Sequence, residues 1–88
     1  MVNYAEDRLD RVFAALSDPT RRAVLARLAR VQSLSITAIA EPFDIKLPAV
    51  MKHLDVLAEV GLIRRTKTGR TVNVAIAPAS LKPAVLWL

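Results

Sequence analysis

The sequence predicts a mainly α-helical domain that closes with a small β-hairpin, and three observations carry that reading. Apolar residues recur at spacings of three and four through successive segments up to Gly61. Past Gly61 the period falls to two. Between the third and fourth helical segments, only the tetrapeptide Phe43-Asp44-Ile45-Lys46 is left to make a turn.

Asp7 to Leu16 places Leu9, Val12, Phe13 and Leu16 at helical spacing, so a first amphipathic helix is expected there. Ser17-Asp18-Pro19 stops it and starts another. Asp18 can accept from the exposed backbone N–H groups, and Pro19 suits the first helical position. The second helix turns Val24, Leu25 and Leu28 inward and is expected to end near Val31, with Arg21, Arg22, Arg27 and Arg30 among its remaining positions. Ser35 caps a short third helix, Ile36 to about Glu41, with Ile36, Ile39 and Ala40 available for the core, and Pro42 marks its end. A fourth helix begins near Leu47, with Pro48 in its first turn, and Gly61 ends it as a left-handed cap. Leu62 to Lys67 then reads as a strand, Thr68-Gly69 as a turn, and Arg70 to Ile76 as a second strand. Val72, Val74 and Ile76 share one face of it. Pro78 breaks that strand. Ser80 can cap a last, almost wholly apolar helix, Leu81 to Leu88, where Pro83 is tolerated only in the first turn.

Length sets the scale. The chain has 88 residues, which makes residues 1–88 a single domain. Hydrophobic residues make up 53% of it, more than a small monomer comfortably hides, so part of that surface is expected to meet a second chain. Net charge is +5, and a basic balance in a small domain suggests a polyanionic partner, usually nucleic acid. There is no cysteine, which excludes a disulfide framework, a thiolate metal site and a thiol redox switch. No apolar run approaches the roughly 18 residues of a membrane span, and no membrane partner is expected. The stretch MVNYAEDRLD is polar and acidic, unlike a signal peptide, so a cytoplasmic protein is expected.

The order of elements is that of a winged helix-turn-helix, with the helix-turn-helix at about 36–60 and the wing at about 62–76. On the fourth helix, Leu47, Val50, Leu54, Leu57 and Ala58 fall on one arc, expected to pack inward. Pro48, Ala49, Lys52, His53 and Val56 fall on the other, where small residues near the N-terminus allow close approach to a duplex. Lys52 and His53 are placed there to reach base edges or backbone. Six cations lie between 46 and 70: Lys46, Lys52, Arg64, Arg65, Lys67 and Arg70. Lys67 and Arg70, at a hairpin tip that Gly69 makes slim, can follow the adjacent minor groove. Each feature alone has a plain reading. A Lys-His pair is a solvated face, a basic hairpin is a charged edge, and Arg21-Arg22 serves solubility or internal pairing. Their conjunction points to double-stranded DNA. The expected contacts are Lys46, Pro48, Ala49, Lys52, His53, Arg65, Lys67 and Arg70. A winged helix that docks protein instead is the competing reading, since fold does not fix function. Nothing supports an enzyme: there is no carboxylate pair in a plausible cleft, no Gly-rich phosphate loop and a single histidine. No cofactor is expected.

"ALSDPTRRAVLARLA" (15–29), "LPAVMKHLDVLAEVGLIRR" (47–65) and "KTGRTVNVAI" (67–76) resemble the ArsR-type winged-helix transcriptional regulators. The resemblance runs from about residue 9 to the end. It implies a homodimeric bacterial repressor with the fourth helix as its recognition helix; the action expected of such a dimer is to occlude a promoter on an inverted-repeat operator until an effector releases it. It also implies a dimer formed through the first and last helices, over about 5–16 and 80–88. Leu9, Val12 and Phe13 would lie on one side of that contact, and Leu81, Val85, Trp87 and Leu88 on the other. Many such regulators sense metals through cysteines, or through His and acidic residues of the last helix. This chain has no cysteine, and its one histidine is His53, so those metal sites do not carry over. Where many relatives begin the recognition helix with a Ser-Gln pair and place a serine four residues later, this chain has Lys46, Leu47 and Met51.

Overall fold

The computed structural model describes residues 4–77. The expected helix from Leu81 to Leu88, with Leu81, Val85, Trp87 and Leu88, lies outside the described residues. The elements run α1 (Tyr4–Leu16), α2 (Pro19–Leu28), β1 (Leu34–Ser35), α3 (Ile36–Ala40), α4 (Leu47–Glu59), β2 (Ile63–Thr68) and β3 (Thr71–Ile76). The four helices and the hairpin come in the expected order, and their bounds differ slightly. α1 begins at Tyr4 rather than Asp7, which puts Glu6 and Asp7 in its first turn, where the helix dipole favours carboxylates. α2 ends at Leu28, short of Val31, because Arg30 and Val31 hydrogen-bond to Arg27 and Leu28 in tighter three-residue steps.

The sheet has three strands rather than two, in the order β1-β3-β2, both pairings antiparallel. β1 is only Leu34 and Ser35, set opposite Val74 and Asn73, and two residues are too few to show alternation. Ser35 serves twice: it pairs with β3, and its Oγ accepts from the Ala38 N–H at 3.1 Å to cap α3. The hairpin closes on Thr68 opposite Thr71, so the loop is Gly69-Arg70, one residue later than expected. Gly69 has φ +61°, as the first central residue of a primed two-residue turn requires, and that turn matches the twist of the strands.

The core lies between the helices and the inner face of the sheet. Leu25, Leu54, Leu57, Leu62 and Val74 have no exposed surface. Two expectations need correcting. Leu47, expected to pack inward, is 50% exposed. It is the first residue of α4, and its Cβ tilts toward the helix start, where it borders an open groove instead of the core. Val12, expected in an intersubunit contact, is 5% exposed and belongs to the monomer's own core. Its neighbours Leu9 and Phe13 stay outside, at 52% and 61%.

The arginines of α2 tie the helices together. Arg21 Nε donates to the Ala15 carbonyl at 2.6 Å, and Arg22 Nη1 to the Leu16 carbonyl at 2.7 Å. Both acceptors are orphan carbonyls at the end of α1. Arg27 Nη1 donates to the carbonyls of Ala38 and Ile39, at 3.1 and 3.0 Å, and so closes the short α3. These are charge-assisted bonds aimed at the negative ends of helix dipoles. Arg27→Ala is expected to lower stability by about 1–3 kcal/mol, through loss of these bonds and two carbonyls left unpaired. Urea unfolding of the variant against the parent measures it; an unchanged midpoint would show that α3 does not depend on this cap.

Candidate nucleic-acid interface

α4 is held at both ends. At its start, the Ala49 and Val50 N–H groups donate to the Lys46 carbonyl. Pro48 sits in the first turn, where no N–H is missed. At its end, the Gly61 N–H donates to the Ala58 carbonyl and the Leu62 N–H to the Leu57 carbonyl, both at 3.0 Å. With Gly61 at φ +80° this is a Schellman cap, sealed by the buried Leu57 and Leu62. Leu62 next accepts from the Ala77 N–H at 3.0 Å, so the residue that ends α4 also starts the wing.

Lys46, Pro48 and Lys52 are exposed, and Ala49 is half-buried. On the hairpin, Arg64, Lys67 and Arg70 are exposed. Among the described residues, none of Lys46, Lys52, Lys67 and Arg70 takes part in an ion pair. Leu47 and Met51 of α4 line one open groove with Ser35, Ile36 and Thr37 at the start of α3 and with Arg70, Thr71 and Val72 of the hairpin, so one groove runs from the start of α4 to the wing.

Two of the expected contacts are engaged elsewhere in the chain. Arg65 Nη1 donates to Asp55 Oδ1, an ion pair that ties β2 to α4. His53, expected on the outward arc beside Lys52, is partly buried. Its Nδ1 lies 3.8 Å from Asp18 Oδ2 and 3.4 Å from Arg21 Nη1. The reason is angular. At 100° per residue His53 stands ~100° from Lys52 but only ~60° from the buried Val50, so it occupies the flank that meets α2.

Asp18 organises that junction. As the N-cap of α2 it accepts from the Arg21 N–H at 2.9 Å. That backbone bond, with the charges of His53 and Arg21 and a further backbone bond from Thr20, holds its carboxyl below the usual range against the opposing effect of burial. The sequence marks Asp18-Pro19 as a helix start. That His53, 35 positions along the chain, comes up against it is a long-range fact with no local signal.

Two helices joined by a tight turn, the second lying beside a hairpin with exposed cations, define a winged helix-turn-helix domain of the kind that binds DNA. Residues 16–66 match the family model described as a helix-turn-helix domain. The transcriptional repressor SdpR of Bacillus subtilis is 30% identical over 80 residues, covering 91% of this chain and 88% of that protein. The crystal structure of the ArsR family transcriptional regulator RHA00566 is 41% identical, with a TM-score of 0.80 over 99% of this chain and 86% of that one. The homodimeric winged helix-turn-helix DNA-binding domain of Mb0332 from Mycobacterium bovis shares the fold. Its TM-score is 0.86 at 24% identity, over 94% of this chain and 76% of that one. The chain belongs to the ArsR family and is a DNA-binding transcriptional regulator.

The lowered Asp18 pKa fixes a sign. A carboxyl whose pKa falls on folding adds stability at pH values above its unfolded pKa, and that stability is lost as pH drops through the folded value. Asp18→Ala is therefore expected to cost about 1 kcal/mol near neutral pH, as loss of an N-cap does. The gap to the parent should narrow below about pH 4, where carboxyls protonate. Thermal unfolding of both proteins from pH 7 to pH 3 tests this, and a pH-independent gap would contradict it.

Proposed function

We propose that the protein is a sequence-specific repressor that works as a homodimer. Two copies of α4 enter successive major grooves about 34 Å apart on an inverted-repeat operator. The observation that carries the reading is the set of cations without an ion pair among the described residues, Lys46 just before α4 and Lys52 on it with Lys67 and Arg70 on the wing, all on exposed positions. Lys52 is the base reader, with Pro48 and Ala49 small enough for close approach. Lys46, Lys67 and Arg70 neutralise phosphates, and Arg65 joins them from its ion pair with Asp55. His53 acts by fixing the flank of α4 against Asp18 and Arg21. Leu9 and Phe13 supply the described part of the dimer contact, as two large apolar side chains left outside on successive turns of α1. The homodimeric Mb0332 domain and the repressor SdpR favour the same assembly and direction of control. Occupancy of the promoter in the cytoplasm represses, and binding of an effector releases it.

Sequence preference and salt dependence test the two surfaces separately. Lys52→Ala should reduce discrimination between operator and random duplex by about 1–3 kcal/mol. The variant Lys67→Ala/Arg70→Ala should weaken all sequences alike and lower the slope of log K against log salt by roughly one unit for each phosphate no longer neutralised. Gel-shift titrations at several salt concentrations read both, and a parent protein without preference for any selected duplex would defeat the proposal. Phe13→Glu should convert the dimer to monomer in sedimentation velocity, and a dimer that persists would place the contact elsewhere.

A further inference from the structure

The start of α4 carries an apolar feature that phosphate binding leaves unexplained. Leu47 is 50% exposed and Ile45, just before it, 39% exposed. Both sit among the cations of the proposed DNA face, with Lys46 between them and Lys52 farther along α4. Leu47 and Met51 line a groove shared with Arg70 of the wing, so the exposed Leu47 opens toward a cationic contact. Leaving large aliphatic side chains in water is unfavourable, and a charged partner gives them nothing to bury against. The floor of a major groove offers four base-pair patterns, and the one apolar group among them is the C5-methyl of thymine.

We infer that Leu47, with Ile45 beside it, reads a thymine methyl, so that each operator half-site holds a fixed A·T pair opposite the start of α4. This rests on the DNA-binding reading above and deepens it, adding an apolar contact to the polar one at Lys52. The occupant follows from charge and position together: the surrounding cations bring a polyanion, and within a DNA groove only this methyl matches an aliphatic side chain. Leu47 is half exposed and stands outside the core cluster, so its replacement leaves the core intact.

The test begins by selecting bound sequences from a random duplex pool with the full chain. The preferred duplex is then prepared with thymine or with uracil, which pairs identically and lacks the methyl. The parent protein is expected to bind the uracil duplex about fourfold more weakly for each methyl contacted, the effect of exposing one methyl-sized group. Leu47→Ala is expected to bind both duplexes alike, and it controls for any change in duplex shape. If the parent selects a sequence yet binds both duplexes equally, or if Leu47→Ala still discriminates as the parent does, the inference is overturned and the DNA-binding reading stands. If no sequence is selected over random duplex, both fall.

Discussion

The fold rests on the hydrogen bonds that the arginines of α2 make to the ends of its neighbours. A helix of a dozen residues leaves its last carbonyls without partners, and in a small domain few other groups can reach them. Here Arg21 and Arg22 reach back to the end of α1, and Arg27 reaches forward to the end of α3. Asp18 meanwhile caps α2 itself. Three helices are thereby tied together, with charged groups aimed at opposed dipoles. α4 then packs its Val50, Leu54 and Leu57 face on this frame.

That arrangement divides the positive charge into two populations. A net charge of +5 says nothing about which cations are free. Arg21, Arg22 and Arg27 are partners of carbonyl groups, and Arg65 is the partner of Asp55. Lys46, Lys52, Lys67 and Arg70 are not in ion pairs among the described residues, and they lie along the start of α4 and the wing. These structural cations are all arginines, whose planar fork can hold a carbonyl while a second N–H points elsewhere. Of Lys46, Lys52, Lys67 and Arg70, three are lysines, whose compact, well-hydrated charge suits a phosphate met from solvent.

α4 has two unlike flanks. On one, His53 is drawn to Asp18 and Arg21, joining the helix to the α1–α2 corner. On the other, Leu47 and Met51 open into the groove beside Arg70. The first flank sets where the helix sits and the second borders open space. β1 contributes to the second: its pairing with β3 sets the hairpin beside the start of α3, and Ser35, Ile36 and Thr37 line the groove between α4 and the wing.

Local chemistry was readable without coordinates. Asp18-Pro19, Ser35 and Gly61 each act within a few residues of themselves, so the order of helices, the tight turn and the change to strands followed from composition and spacing. The apolar period likewise revealed Val50, Leu54 and Leu57 as core, because burial on a helix repeats with its own turn. What spacing could not supply was the identity of the neighbour on each side. Periodicity records an angle about one axis; it does not record which element arrives at that angle, or whether any does. His53 turned inward because α2 is there, Leu47 stayed half outside because it borders an open groove, and Val12 joined the monomer core while Leu9 and Phe13 did not. β1 exists only because β3 passes beside it. Each of these depends on contacts between residues distant in the chain, formed once the helices had packed.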